Sequence, residues 1–378
     1  MYTLNFSLRQ QTPLIHFLHE QDNVTLRSTQ VKPLLDKHLI KWCFQGDMEL
    51  YKGYLKGKTA SLDYRIDFLP NGEPEKYLFS SQKVKDWQIN AWKNKGIQLI
   101  GNTPYFGNEK NLKDSSEEDV RLAIMHNEDC RVTLLSPHKK LLEEIDRNID
   151  AFFVLNNFGT RANKGFGSFI RKSYLADANI HQKIVEVFFS HQNENLFCNV
   201  LPPKFNNISG IFGAINLSYK KLKGGINGRS RINDFYSNRQ INGKPVVWEK
   251  IPIKEEIIKN RNIQTLYTAK DNERYIRVLL GLAELYDFPE EDVKVKIKCL
   301  NQEIQRVTSP LYFKVIGNTI YLTASQIPDK IYGQQFEFST DDKKMIISSP
   351  PSNLMLDINK FLFYNLDKKY WKEVKPIN

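Results

Sequence analysis

The stretch NNFGTRANKGFGSF, residues 156–169, is where the chain is best equipped for chemistry. Gly159, Gly165 and Gly167 are interleaved with Arg161 and Lys164, and Ser168, Phe169, Arg171 and Lys172 follow. Glycine accepts positive φ and lets backbone N–H groups come close to a phosphate or a sugar. The cations add long-range attraction and direct phosphate contacts. Phe166 and Phe169 either stack on bases or anchor the loop in the core. The same composition also fits a glycine-rich turn with incidental surface charge. The pattern is neither the GxxxxGKS/T of a nucleoside-triphosphate loop nor the GxGxxG of a dinucleotide fold.

A second charged loop, GRSR at 228–231, sets Arg229 and Arg231 among glycine and asparagine, close in sequence to Lys220, Lys221 and Lys223. It suits RNA contact or protein docking, and equally a solvated loop. Catalysis of RNA cleavage without metal needs a general base and acid beside a 2′-OH, from His, Lys, Tyr or an aspartate. His16 and His19 are the best-placed histidines, with a packed strand histidine as the expectation for His16. Asp36 falls on a helix and reads as a solvated or salt-bridged carboxylate. His181, His191 and Cys198 have no metal-ligand spacing, and no nucleophile–base set emerges, so no metal or cofactor is expected.

These residues need elements to position them. Tyr2, Leu4, Phe6 and Leu8 alternate with Thr3, Asn5, Ser7 and Arg9, the period of a half-buried strand, and Thr12-Pro13 turns the chain. VKPLLDKHLIKW (31–42) predicts a helix with Pro33 in its first turn, Leu34, Leu35, Leu39 and Ile40 on one face, and Lys37 and Lys41 on the other. Residues 64–68 and 130–135 alternate again as strands. Ser136 is the expected N-cap of the best helix, whose stripe of Leu141, Leu142, Ile145, Ile149, Phe152 and Phe153 ends near Leu155. Strand, helix, strands, helix is the rhythm of a ferredoxin-like βαββαβ unit.

In the second half, EVFFS (186–190) reads as a strand, 254–266 and 272–285 as helices, VKVKIKCL as a strand, and 352–366 as a C-terminal helix. Gly317-Asn318 has the composition of a hairpin turn. A domain boundary is expected near 175–200, giving domains 1–185 and 186–378.

The 378 residues carry a formal charge of +11 and a pI near 9.2, which favours an anionic partner, nucleic acid being the commonest. With 41% hydrophobic and 12% aromatic residues the chain can build a core. The N-terminus lacks the basic and apolar regions of a signal peptide, and no run approaches the roughly 18 apolar residues of a membrane span. Cys43, Cys130, Cys198 and Cys299 form no CxxC pair and read as reduced thiols of a cytoplasmic protein.

GTRANKGFGSF resembles the glycine-rich loop of the RAMP superfamily: a glycine, one or more arginines and a basic GfGs tail, just after the second helix of a ferredoxin-like unit. TPLIHFLHEQDNVTLRSTQVKPLLDKHLI (12–40) resembles the opening of the first RAMP subunit of type III-B (Cmr) CRISPR effectors. There a strand with a TP pair leads to an LR-x-T/S-x-h-K-P segment, h being apolar, and a helix. RVTSPLYFKV (306–315) and KLKGGINGRSRINDFY (221–236) are similar to a second-domain strand and a mid-chain segment of that subunit.

The resemblance implies an α+β fold of two fused ferredoxin-like (RRM-like, βαββαβ) RAMP domains with helical insertions. It implies a non-catalytic, RNA-binding role in antiviral defence. Guide (crRNA) and target RNA, other RAMP subunits and a Cas10-like large subunit would be the partners, with no membrane. Gly159, Arg161, Lys164, Gly165 and Gly167 match its glycine loop; Arg27, Lys32 and Pro33 match its N-terminal motif. Lys37, Arg171, Lys172, Arg229 and Arg231 complete the candidate RNA-binding set on charge. The loop departs from the pattern at Asn157-Phe158, where a second glycine is usual. A metal-independent endoribonuclease that processes CRISPR transcripts is the alternative.

Overall fold

A computed structural model of the protein describes residues 1–16, 25–79, 86–100, 122–191, 194–225, 230–259, 266–288, 290–304 and 306–376. Strands β1 (Tyr2–Gln10), β2 (Arg65–Leu69), β3 (Cys130–Ser136) and β4 (Phe169–Arg171) form an antiparallel sheet in the order β2-β3-β1-β4. Helix α1 (Ser28–His38) lies between β1 and β2 in the chain, and α2 (Lys139–Leu155) between β3 and β4. Alternation decides the sheet's faces: Phe6 and Leu8 of β1 pair with Val132 and Cys130 of β3, and all are buried.

The stripe on α2 is buried as its spacing predicts, from Leu141 to Phe153, and the helix stops at Asn156. Its start differs. Ser136 ends β3 instead of capping α2. Its hydroxyl accepts from the His138 N–H at 3.1 Å and donates to the Asp63 carbonyl at 2.7 Å, so it turns the chain before the helix begins.

A second antiparallel sheet contains β5 (Leu196–Val200), β6 (Leu311–Ile316), β7 (Thr319–Ala324) and β8 (Lys372–Val374), in the order β6-β7-β5-β8. Gly317, at φ +59°, turns the β6–β7 hairpin as expected. Between α2 and this sheet lies α3 (Ile180–Ser190); α4 (Ile208–Tyr219) follows β5 and α5 (Ile358–Asn365) precedes β8. Counted by chain order, the strands of both sheets run 2-3-1-4. A mixed seven-stranded sheet is formed by segments between Val247 and Ser348, and Leu14–Ile15, Glu75–Phe79, Ile97–Ile100 and Ala123–Met125 make a fourth sheet.

Three expected elements are corrected. Residues 186–190 are the end of α3, because Ile184, Val185 and Phe188 form a helical stripe packed with Val154 of α2. Residues 272–285 hold a two-residue strand at Glu273–Arg274 and a short 3-10 turn at Arg277–Leu280, with four consecutive residues buried, which one face of an α-helix cannot provide. The C-terminal helix is shorter than expected, starting after Asp357, whose carboxylate accepts from the Lys360 N–H. The expected 185/186 division falls within α3.

Candidate nucleic-acid interface

The glycine-rich loop is folded against the Thr12-Pro13 turn. Thr160 N–H donates to the Ile15 carbonyl at 2.8 Å, Gly167 N–H to the Pro13 carbonyl at 2.9 Å, and Gln11 N–H to the Ser168 carbonyl at 2.8 Å. The Thr12 hydroxyl donates to the Gly165 carbonyl at 2.6 Å and accepts from Ser168 N–H at 2.9 Å. This packing leaves no room for side chains. At Gly159 (φ +79°) a Cβ would stand 2.5 Å from the Ile15 oxygen, and at Gly167 (φ +65°) 2.0 Å from the Phe158 oxygen. Glycine is therefore required at both positions by close backbone approach and positive φ.

The loop's other side is joined to β6 of the second sheet. Phe313 N–H donates to the Asn163 carbonyl at 3.1 Å, the Asn157 amide to the Phe313 carbonyl at 2.8 Å, and the Ser168 hydroxyl to the Val315 carbonyl at 2.6 Å. Three stretches picked out separately in the sequence, 12–13, 156–169 and 306–315, thus meet. Phe166 and Phe169 are both fully buried, Phe166 with its ring centroid 4.2 Å from that of Phe212, so both anchor the loop and neither faces solvent for stacking on a base.

The loop's cations sit at its outer part. Arg161 takes φ +62° and is half-buried. Lys164, also half-buried, lies 4.9 Å from the Tyr219 ring; burial, then the Arg161 charge, lower its pKa to about 7. On α1, Lys32 turns inward to Asp36 (3.0 Å), the Ser61 hydroxyl (2.8 Å) and the Leu62 carbonyl (2.8 Å), which satisfies its three donors. Asp36 is salt-bridged, as one of its two expected readings has it.

The remaining candidates are dispersed. Arg27 occupies the N-cap position of α1. Arg171 pairs with Asp146 at 2.9 Å, exposed Lys172 with Asp129 at 2.6 Å, and Arg231 with Asp234 at 3.8 Å. Arg229 and His19 lie outside the described residues. Lys223 is buried and donates to the Gly281 carbonyl at 2.5 Å, and Lys221 pairs with Asp367, which leaves Lys220 as the exposed cation of that cluster. His16 is buried beside the loop's floor.

A cleft of about 470 Å³ opens where α1, the loop, the end of α3 and the start of β6 come together. From α1 and the turn after it come Lys37, His38, Lys41 and Trp42; from the loop Asn156 and Asn163; from the second half His191, Ser309 and Tyr312. Lys37 and Lys41 are exposed at its mouth, and Lys41 Nζ lies 4.3 Å from the Trp42 ring. The His191 ring stacks on His38 at 5.5 Å and meets Trp42 edge-on at 4.7 Å. Burial, helped by His191, lowers the His38 pKa to about 4. Among the described residues, His38 Nε2 and the Tyr312 hydroxyl have no hydrogen-bond partner.

Sequence reasoning chose Lys37, placed Lys41 only on the same polar helix face, and missed His38, Trp42, His191 and Tyr312 as site residues. The signal for the first two was present, since 37, 38, 41 and 42 share one helical face at i, i+1, i+4 and i+5. Among the described residues no group of three or more His, Cys, Asp or Glu could hold a metal ion, and no helix is long and apolar enough to cross a membrane.

The Cmr1 N-terminal domain model matches residues 1–226 and the Cmr1 C-terminal domain model residues 228–376. No curated protein matches the sequence. Among solved structures, apo Cmr1 from Pyrococcus furiosus aligns over 99% of this chain and 98% of its own, at 13% identity and a TM-score of 0.43. A chain of a type III-B Cmr-beta structure bound to cognate target RNA aligns over 45% of this chain and 58% of its own, at 10% identity and a TM-score of 0.29. Matched by the two family models across nearly its whole length, the chain belongs to the Cmr1 family, the first RAMP subunit of type III-B CRISPR effector complexes.

Proposed function

We propose that this Cmr1-family chain is a non-catalytic RNA-binding subunit of a cytoplasmic type III CRISPR effector, contacting guide RNA, target RNA or both beside other RAMP subunits and a Cas10-like large subunit. The observation that carries this reading is the cleft, where the exposed ammonium groups of Lys37 and Lys41 flank Trp42 and His191. Cations beside rings hold a phosphate backbone and its bases without choosing a sequence, as a guide-bearing complex requires. Half-buried Arg161 adds a further guanidinium from the loop.

The reading includes two fused ferredoxin-like domains that divide between β4 and β5. It is supported by the shared 2-3-1-4 strand order, with a helix after the first strand and another before the fourth in each half. The cleft's histidines stand as neutral rings at neutral pH. With the His38 pKa near 4 and that of His191 also lowered by burial, neither is an imidazolium at neutral pH able to act as a general acid.

Single-stranded repeat RNA incubated with the purified chain without metal is expected to remain intact and to bind, with Lys37→Glu/Lys41→Glu weakening binding about tenfold or more. Metal-free cleavage abolished by His16→Ala or His38→Ala would overturn the reading.

A further inference from the structure

Away from the cleft, and sharing no lining residue with it, a groove of about 1,010 Å³ runs between α4 and the segment 365–371. None of the 12 residues of α4 is charged. Ile211, Phe212, Ile215 and Tyr219 bury one face in the core. Gly210, Gly213, Ala214 and Leu217, at i, i+3, i+4 and i+7, line the groove as a second apolar face, with Leu217 44% exposed. Tyr370, 46% exposed, stands on the opposite wall. A surface helix turns a polar face to water, and one with two apolar faces is built to be covered on both.

A second observation points to what it binds. Asn216 is 6% exposed and lines the groove, and its side-chain oxygen has no hydrogen-bond partner among the described residues. A buried acceptor of this kind calls for a donor. Charge narrows the choice further. Lys204, Lys220, Lys221 and Lys369 belong to the lining, against a single carboxylate, Asp367, already paired with Lys221 at 3.1 Å.

We propose that the groove seats an acidic peptide segment of a partner protein. An apolar side chain rests on the floor of Gly213 and Ala214, its backbone N–H groups face Asn216, and its carboxylates meet the lysines. Single-stranded RNA would meet the same lysines, but its riboses would find no hydrogen-bond partner on the apolar floor of Gly213 and Ala214, where an apolar side chain of a peptide fits. The groove is a different surface from the RNA cleft and shares no lining residue with it.

The test uses the complete effector, reconstituted with p-benzoylphenylalanine in place of Leu217 and irradiated. The expected cross-link is to a protein segment in which an apolar residue is flanked by Asp or Glu. A cross-link to RNA, a cross-link to a segment without acidic residues, or no cross-link overturns the proposal. In parallel, Lys220→Glu/Lys369→Glu should lower retention of the chain in the complex about tenfold, with RNA affinity of the isolated chain unchanged. Full retention, or a matching fall in RNA affinity, overturns it as well. Failure of the RNA reading would show in the isolated chain alone and leave the cross-link result standing.

Discussion

Lys314 Nζ donates to the Phe153 carbonyl at 2.6 Å, reaching from β6 of the second sheet into the last turn of α2. The same ammonium contacts the Asn156 carbonyl at 2.8 Å and the Phe169 carbonyl at 3.3 Å. It therefore caps the helix whose end launches the glycine-rich loop, where a cation complements both the free carbonyls and the helix dipole. Lys314 is fully buried, and desolvation pushes its pKa well down. A buried lysine is tolerated here because every donor has an acceptor.

Replacing it should be costly. Lys314→Met keeps much of the volume but leaves buried carbonyls without donors, each worth about 1–3 kcal/mol. Urea unfolding should show a loss of about 2–4 kcal/mol, with the far-UV spectrum of the folded state preserved. An unchanged midpoint would mean that the lysine does not join the halves.

Positive-φ glycines should separate into two classes, shown by Gly167 of the glycine-rich loop and Gly317 of the β6–β7 hairpin. Gly167→Ala drives a Cβ against the Phe158 carbonyl at positive φ, and should cost about 3 kcal/mol or more. Gly317→Ala, at φ +59° with nothing within 4 Å, should cost only about 1 kcal/mol for its backbone conformation. Denaturant midpoints of the two variants check the contrast.

Phe166 tests anchor against stacking platform. Phe166→Ala empties a site where the ring lies 4.2 Å from Phe212 and 4.9 Å from Phe79, and should destabilise by about 3–5 kcal/mol. RNA affinity, measured at a temperature where the variant stays folded, should be unchanged. A stable variant with weakened RNA binding would put the ring at the RNA surface.

Acid sensitivity should include a contribution from His38. Its folded pKa, about 4, lies below the ordinary value of 6.5, so the unfolded chain binds more protons between these limits. This contribution to stability is fully present above pH 6.5 and is lost as pH falls towards 4. Stability curves at pH 7 and pH 4.5 should therefore diverge more for wild type than for His38→Gln.

Much of the first half was legible because its periodicity is local. The α2 stripe and the alternation of β1 each follow from a single element burying one face. The strand expected at 186–190 failed because five residues are too few to separate period 2 from period 3.6, and Ile184 and Val185, just outside the window, complete a helical stripe. Residues 272–285 misled because they are buried nearly all round in the seven-stranded sheet's surroundings, where no face is left polar to reveal the period.

The candidate site was legible in its cations and illegible in its partners. The spacing of Gly159, Gly165 and Gly167 announced a backbone held close to something. That something is protein: the Ile15 and Phe158 carbonyls and the side chains from β6, which the chain delivers from about 150 residues away. Lys32 matched a motif but serves Asp36 and Leu62. His38 and His191 stack across more than half the first family domain, a meeting that only the fold can make.

RNA held in the cleft through Lys37 and Lys41 should declare itself in the salt dependence of binding. Anisotropy titrations of a fluorescent single-stranded RNA across a range of salt concentrations should show Lys37→Ala/Lys41→Ala flattening the slope of log K against log salt by about 1.4, about 0.7 for each lost phosphate contact. A variant with wild-type affinity and wild-type slope would mean that RNA does not touch these two lysines.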